Sequence, residues 1–376
     1  MESFSEEVEE EMIKCSRCGL CRAHCPVFEY KGRESWNARG RIFLIKALLD
    51  GKLSVSEELL DRIYSCSLCK SCDEACPSSA KVSDIIKDVR TSLAKTGIGP
   101  LEGHREMARA ILTSGNILGE KVRLIDVVPT VKTLPDIAPT MLFAGCVVSS
   151  SYPNIAEALI RILRKAGYDF TVIKDGENCC GKFLDLVGLG EEFSKLVGNN
   201  WKILSEMKIR EIVTICPLCY SAFAHSLPKG ESFSVQHSTE LLLNLLDEGK
   251  IAFNRRLDAN VTYFDSCHLG RYGKIYDAPR SLIEAIPGVR LVEMDKSKEL
   301  SRCCGGTVRV PYFDIRTGMS EAIAKSAKDA GADYLTTACP TCYHNLRVVA
   351  FDHSLTVCSI EELVGYSMGL IKQIPK

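Results

Sequence analysis

Apolar residues recur three and four positions apart in the first quarter of the chain, with polar residues between them. This spacing predicts amphipathic α-helices. Gly51 ends one of them, and Ser54 with Glu57 predicts a capping box at the start of the next. The helical stripes lie at residues 1–14, 42–49, 59–63 and 82–93. Residues 1–97 are therefore predicted to form a helical module.

From residue 140 the pattern changes to short apolar runs that alternate with helical stripes, in an order that occurs twice. Such runs are typical of buried strands in a parallel sheet. The predicted strands are 141–144, 170–173 and 212–215, then 261–264, 290–292 and 334–337. The predicted fold class is α+α/β: the helical module, a linker at 98–139 with one helix, and two duplicated α/β lobes at 140–254 and 255–376.

Composition and charge exclude several classes of protein. Of the 376 residues, 46% are hydrophobic and 25% charged, and the formal net charge is -1. This balance gives no electrostatic reason to expect nucleic acid or an anionic membrane as a partner. No apolar run reaches the roughly 18 residues of a membrane span, and the first residues are acidic where a secretory signal would be basic. We expect a cytoplasmic protein that reaches the inner face of a membrane only through a partner.

The first cysteine motif is C-x2-C-x2-C-x3-C-P, which occurs twice in the helical module. It is typical of bacterial ferredoxins with two cubane [4Fe-4S] clusters, in which the fourth cysteine of each run ligates the other cluster. Zinc knots are the alternative, disfavoured because zinc sites use separated C-x2-C pairs. One predicted ligand set is Cys15, Cys18, Cys21 and Cys76, and the other is Cys66, Cys69, Cys72 and Cys25.

A second cysteine motif occurs once in each predicted lobe, near the carboxyl ends of strands, where open α/β sheets bind ligands. It combines a single cysteine, a Cys-Cys-Gly sequence and a Cys-Pro-x-Cys sequence. Adjacent cysteines rarely converge on one ion but suit a cluster of several irons. Each copy therefore predicts one iron-sulfur site. The sets are Cys146, Cys179, Cys180, Cys216 and Cys219, then Cys267, Cys303, Cys304, Cys339 and Cys342.

Together these motifs resemble a known family over nearly the whole chain. The repeated motif looks like the CCG domain, and its position after a two-cluster ferredoxin module resembles the D-type polypeptide of heterodisulfide reductase, which is similar to the C and B polypeptides fused. The resemblance implies a noncubane [4Fe-4S] cluster in one or both lobes, held by the five cysteines. It also implies that the disulfide of coenzyme M and coenzyme B is reduced between the lobes, with Cys179, Cys180, Cys303 and Cys304 as catalytic cysteines.

The same layout is similar to the iron-sulfur subunits of glycolate, D-lactate and anaerobic glycerol-3-phosphate dehydrogenases, which relay electrons from a flavin. Two complete lobes favour the resemblance to the reductase. One departure is Thr307-Val308, which follows Cys-Cys-Gly-Gly at a point where the reductase family tends to continue in glycine. This chain shows no flavin fingerprint, because Gly188-Leu189-Gly190 is too short for a dinucleotide loop. The expected partners are a flavoprotein or membrane cytochrome b subunit and a small thiol or disulfide substrate.

Four cationic or imidazole side chains lie close to the lobe cysteines in sequence. They are candidate contacts to an anionic substrate; the alternative is that they balance the charge of the clusters or face water. A zinc-bound scaffold without redox activity is the third class of protein that the cysteine motifs allow. The candidate contacts are Lys182, His268, Arg271 and Arg309.

Overall fold

The computed structural model describes residues 6–174, 176–227, 233–308 and 310–374. The candidate contact Arg309 lies outside the described residues. Besides the numbered elements below, single 3-10 turns occur at Glu34–Trp36, Pro129–Thr133, Lys298–Leu300, Gly306–Val308 and Phe351–His353.

The N-terminal module is helical, as the apolar spacing predicts, and its described residues 6–97 contain no strand. Buried apolar residues of its longer helices form one core. The predicted capping box at Ser54 is wrong. Ser56 instead accepts a hydrogen bond from the Leu59 amide, and the two glutamates that follow Ser56 favour the first turn of the helix. The helices are α1 (Glu6–Lys14), α2 (Leu20–Ala23), α3 (Pro26–Lys31), α4 (Ala38–Leu49), α5 (Glu57–Tyr64), α6 (Ser71–Glu74) and α7 (Val82–Lys95).

The segment after the module contains α8 (Glu102–Ser114) and α9 (Leu124–Val127). The apolar spacing predicts α8 but not the short α9. Ala108 and Ile111 of α8 pack into a cluster with first-lobe residues, and Leu124 and Val131 pack into the core that the lobes share. The segment therefore packs against the domains that follow it.

The first lobe has a parallel four-stranded sheet in the order β2-β1-β3-β4. Each strand is followed by a helix that packs on the sheet, as in other parallel α/β folds. Its elements are β1 (Thr140–Phe143), α10 (Cys146–Ser151), α11 (Pro153–Lys165), β2 (Phe170–Thr171), α12 (Lys182–Leu186), α13 (Gly190–Glu206), β3 (Glu211–Thr214), α14 (Pro217–Ala224), β4 (Ser234–His237) and α15 (Ser238–Asp247).

The second lobe repeats this topology, with strand order β6-β5-β7-β8. The equivalent strand order is the duplication that the sequence predicts. Its elements are β5 (Ala259–Tyr263), a π-helical turn (His268–Tyr272), α16 (Asp277–Glu284), β6 (Val289–Leu291), α17 (Phe313–Asp329), β7 (Tyr334–Thr337), α18 (Pro340–Ala350), β8 (Thr356–Ser359) and α19 (Ile360–Ser367).

The two lobes share a hydrophobic core. Gly365 of α19 faces Ala158 and Ile162 of α11, and an added Cβ there would lie 3.7 Å from the Ala158 Cβ. No helix in the described parts of the chain combines the length and apolarity needed to span a bilayer.

Candidate functional site

The structure brings together one of the two predicted ferredoxin sets. A single cavity in the N-terminal module is lined by four thiols from both cysteine runs. Arg41 also lines this cavity, and its Nη1 lies 4.0 Å from the Cys25 Sγ. Burial raises the pKa of the Cys72 thiol, so deprotonation needs a positively charged partner. We call these four residues the inner thiol group: Cys25, Cys66, Cys69 and Cys72.

The other predicted set lies nearer the surface. Ser78, just after the second run, contacts Ser16 of the first run at 3.1 Å between the two Oγ atoms, and this places Cys76 beside the first run. Burial raises the pKa of Cys21 to about 11, whereas Cys18 is exposed. We call this set the outer thiol group: Cys15, Cys18, Cys21 and Cys76.

The first-lobe thiols line one cavity at the carboxyl ends of the strands, together with Pro340 and Thr341 of the second lobe. Cys146 follows β1 at the start of α10, and its Sγ lies 3.6 Å from that of Cys179. Interactions between neighbouring thiols, which shift their pKa values, continue this contact through the group. The first-lobe group runs in the order Cys146, Cys179, Cys180, Cys219 and Cys216.

The second-lobe thiols make the same contacts in the same order. The Sγ atoms of Cys304 and Cys342 lie 3.2 Å apart, and the remaining neighbours interact closely enough to shift each other's pKa. The equivalence extends to α14 and α18, where Cys216 and Cys339 precede a proline at the first helical position. The second-lobe group runs in the order Cys267, Cys303, Cys304, Cys342 and Cys339.

Contacts between cysteines also join different groups. The Cys69 thiol of the inner group interacts with the Cys303 thiol of the second lobe, and this interaction lowers the pKa of Cys69. The Cys216 thiol of the first lobe interacts with the Cys339 thiol of the second lobe, and this interaction raises the pKa of Cys339. The inner group, the second-lobe group and the first-lobe group therefore form one continuous row of thiols.

The residues of each group fit an iron-sulfur cluster. Their donor atoms are all thiol sulfurs, the ligands that iron-sulfur clusters require. Backbone amides already point at several sulfurs: the Gly181 amide lies 3.4 Å from the Cys179 Sγ, and the Gly305 amide 3.5 Å from the Cys303 Sγ. Within the described chain, no three His, Cys, Asp or Glu side chains form a group that could hold a single metal ion. The fit therefore rests on the chemistry of the donors and, for the inner and first-lobe groups, on a shared cavity.

The structure places the three described candidate contacts differently. Lys182 lines the first-lobe cavity, but its Nζ donates to Asp185 at 2.9 Å. The Arg271 guanidinium is occupied by backbone carbonyls, including that of Cys69. His268 is buried, and neither of its ring nitrogens has a hydrogen-bond partner among the described residues. Of the three, His268 retains unused hydrogen-bonding capacity.

Sequence reasoning missed Glu177. Its carboxylate accepts hydrogen bonds from the amides of Ala144 and Gly145, at 3.2 and 2.8 Å, and so fixes the loop that carries Cys146. Burial raises the pKa of Glu177 to about 7. The only sequence signal for Glu177 was its position two residues before Cys179. A glutamate in a loop is normally interpreted as exposed to solvent, so this signal was too weak to identify it.

Comparison with known proteins identifies the same two kinds of domain. The family model described as a cysteine-rich domain matches residues 140–224 and 261–347, and the 4Fe-4S dicluster domain model matches residues 11–80. The fold and the thiol groups thus define an iron-sulfur oxidoreductase that transfers electrons. The chain is 33% identical over 362 residues to the D-type polypeptide of dihydromethanophenazine:CoB–CoM heterodisulfide reductase from Methanosarcina acetivorans, covering 89% of this chain and 88% of that one. It belongs to this D-type family of heterodisulfide reductase polypeptides.

Two further similarities are more distant. The chain is 28% identical over 419 residues to EtfAB:quinone oxidoreductase from Syntrophomonas wolfei, covering 95% of this chain and 58% of that protein. The crystal structure of a hypothetical protein from Helicobacter pylori matches with a TM-score of 0.63 at 10% identity, covering 98% of this chain and 74% of that chain. The second similarity concerns the fold alone.

Proposed function

We propose that this protein reduces a heterodisulfide of the CoB–CoM type to two thiols. The reaction breaks one S–S bond and consumes two electrons and two protons, so that each sulfur leaves as a thiol. The observation that carries the proposal is the Cys216–Cys339 contact, which makes the two five-cysteine groups adjacent. Adjacent groups allow both sulfurs of one disulfide to be held as the bond opens.

The proposed cofactors are two cubane [4Fe-4S] clusters, at the outer and inner thiol groups, and a noncubane [4Fe-4S] cluster in each lobe. When bound, such clusters supply single electrons and iron sites that accept thiolates. The chain's own contribution is to fix the thiols and their order. Because Cys69 contacts Cys303, the second lobe is the one that receives electrons from the module. The first lobe receives them through Cys339 and Cys216.

We propose His268 as a substrate contact at the junction of the lobes. Its ring stacks on Tyr272 with centroids 4.4 Å apart, and the Tyr272 hydroxyl donates to the Leu68 carbonyl of the module at 2.7 Å. Burial lowers the pKa of His268 to about 3, so the imidazole is neutral and has one N–H to donate. A buried donor without a partner is costly, and a substrate oxygen or sulfur would satisfy it.

Lys182 remains a proposed second contact, because it lines the first-lobe cavity together with the thiols. Its pairing with Asp185, which also binds Lys87 at 2.7 Å, fixes the position of the ammonium. An anionic group on the substrate would compete with Asp185 for this charge. Arg309 stays a candidate contact on sequence grounds.

The test is heterodisulfide-dependent oxidation of a reduced viologen by anaerobically reconstituted protein. We expect activity in the wild type and its loss in Cys216→Ala and Cys339→Ala. Cys358→Ala is the matched control, because Cys358 is a buried cysteine on β8 outside every thiol group, and it should retain activity. Iron-loaded wild type that oxidises no viologen would contradict the proposal.

A second candidate function is electron relay from a flavin-dependent partner, such as a 2-hydroxyacid or glycerol-3-phosphate dehydrogenase. The similarity to EtfAB:quinone oxidoreductase over 95% of this chain favours it. Electron paramagnetic resonance separates the two functions. A paramagnetic state that forms only with the thiol or disulfide substrate supports reduction. Reduction of the clusters by a flavoprotein, with no response to the disulfide, supports relay.

A further inference from the structure

Three buried arginines surround the inner thiol group. Arg41, Arg90 and Arg271 are each no more than 3% exposed. Among the described residues, none of the three forms an ion pair with a carboxylate. Arg280, buried in the second lobe, is different, since it holds Asp265 with two hydrogen bonds of 2.7 and 2.8 Å. Buried arginines without an acid are unusual, because an unpaired charge in the interior is costly.

Each of the three arginines contacts a different cysteine of the inner group. Arg41 lies against the Cys25 sulfur. Arg90 donates to the Cys66 carbonyl at 2.6 Å and to three further carbonyls. Arg271 donates to the Cys69 carbonyl and, at 2.6 Å, to that of Ser301 in the loop before Cys303. Carbonyls and the Ser65 hydroxyl satisfy most of these donors, and the Arg90 Nε has no partner among the described residues. None of these neutral groups neutralises the positive charges.

The missing negative charge matches what the inner group would hold. A [4Fe-4S] cluster with four thiolates has a net charge of about -2 when oxidised and about -3 when reduced. Three guanidinium groups balance most of this charge; the Asp73 carboxyl group, whose Oδ1 accepts from the Cys72 thiol at 3.3 Å, adds to the negative charge when ionised. Burial alone would oppose reduction, because it disfavours the more highly charged state. Buried cations in contact with the ligand loops favour reduction, because they stabilise the more negative state of the cluster. Their effect is strong because water screens charges only weakly in the interior.

The outer thiol group has a different electrostatic environment. Cys18 is exposed, and the nearby Arg39 is paired with Glu34 at 2.7 Å. Glu34 also attracts Arg22, with 3.7 Å between their charged atoms. Water screens the charges around this group, and a carboxylate offsets its cations.

We propose that Arg41, Arg90 and Arg271 raise the reduction potential of the cluster at the inner thiol group above that of the cluster at the outer group. This inference rests on the cluster sites of the proposed function. The three arginines then set the direction of electron transfer, because an electron passes spontaneously from the cluster at the outer group to the cluster of higher potential at the inner group. The inner group then passes it to the second lobe through the Cys69–Cys303 contact.

The test is a redox titration of the reconstituted full chain, followed by electron paramagnetic resonance. The variants are Arg41→Met, Arg90→Met and Arg271→Met, which remove charge while keeping most of the side-chain volume. Cys72→Ser identifies the signal of the inner cluster. We expect each methionine variant to lower the reduced-to-oxidised ratio of that cluster at least tenfold at a fixed potential, which corresponds to about 59 mV for one electron.

Two controls separate charge from structure. Arg271→Lys restores the charge without the full set of carbonyl contacts, and it should return the potential most of the way to the wild-type value. Arg105→Met removes an arginine that also donates only to carbonyls, those of Pro100 and residues 97–99, where there is no cysteine. It should leave both potentials unchanged.

Each outcome is decisive. Fully loaded methionine variants with an unchanged inner potential overturn the inference, and so does Arg271→Lys behaving like Arg271→Met. If a methionine variant loses the inner cluster, Arg271→Lys decides whether the arginine acts through its charge or only through its structural contacts. Wild-type protein that binds no iron refutes the proposed function instead, and iron analysis detects this before any titration.

Discussion

Gly145 offers a direct test of the five-thiol group in the first lobe. It joins β1 to α10 with φ 82° and ψ 153°, a conformation that is nearly restricted to glycine. A Cβ added there would lie 3.1 Å from the Cys219 Sγ, closer than ordinary van der Waals contact. Gly145→Ala should therefore cost about 1–3 kcal/mol in backbone strain and also displace a proposed ligand. The displacement, unlike the strain, acts on the cluster.

Iron analysis after anaerobic reconstitution measures this displacement. We expect the wild type to hold about 16 iron atoms and Gly145→Ala about four fewer, with the signal of one lobe cluster lost or altered. Gly167→Ala is the control, because Gly167 also has a positive φ of 65° but an added Cβ meets nothing within 4 Å. It should lose about 1–2 kcal/mol of stability and no iron. A Gly145→Ala protein with full iron content and unchanged spectra would refute Cys219 as a ligand in this geometry.

Three further changes test the fold around the site. Arg280→Met strands the buried Asp265 carboxylate and should lower the free energy of unfolding in urea by about 3–5 kcal/mol; the double variant with Asp265→Asn should recover part of this loss. Burial raises the pKa of Glu362 from 4.5 to about 7, so the folded state favours the protonated acid. The free energy of unfolding should therefore fall by about 3 kcal/mol as the pH rises from 4.5 through 7. Glu362→Gln should weaken this dependence in thermal melts, and an unchanged pH profile would contradict the assignment. Thr307→Val removes a 2.7 Å hydrogen bond to the Ser67 carbonyl and should cost about 1 kcal/mol, measured by urea unfolding.

Features that depend on local sequence could be predicted. Pro217 and Pro340 occupy the first helical position after a strand, as residue preference requires. The glycine of each Cys-Cys-Gly sequence, Gly181 and Gly305, directs its amide at a cysteine sulfur. Parallel strands bring their carboxyl ends to one edge of a sheet, so the cysteines that follow them converge without any knowledge of tertiary contacts.

Short strands with mixed polarity could not be predicted. β4, Ser234–His237, is an edge strand with partly exposed residues and has no apolar run to identify it. β8, Thr356–Ser359, contains Cys358, which belongs to neither cysteine motif. In both strands, pairing with the neighbouring strand defines the element and residue preference does not.

The functions of the charged residues were the least predictable. Arg271 follows Cys267 closely and is predicted to bind substrate, yet its guanidinium reaches the carbonyl of Cys69 in another domain. Arg41 and Arg90 lie in the helices α4 and α7, and an arginine in a helix is usually solvated. Only the packing of α4 and α7 against α5 shows that both are buried. Sequence spacing cannot reveal contacts between residues that lie far apart in the chain.

The duplicated lobes have one topology but different neighbours, and this difference gives the row of thiol groups a direction. The N-terminal module meets the second lobe at its cysteines, through the Cys69–Cys303 contact and the Arg271 bridge. It meets the first lobe through helix contacts, such as the hydrogen bond from Arg90 to the Leu186 carbonyl at 2.8 Å.

If the thiol contacts mark the route of electron transfer, the second lobe is reduced before the first. A disulfide held between the lobes would then receive its first electron from the second lobe. Rapid-freeze paramagnetic resonance should therefore show the second-lobe signal before that of the first lobe, and the opposite order would show that the contact between Cys69 and Cys303 is not the route.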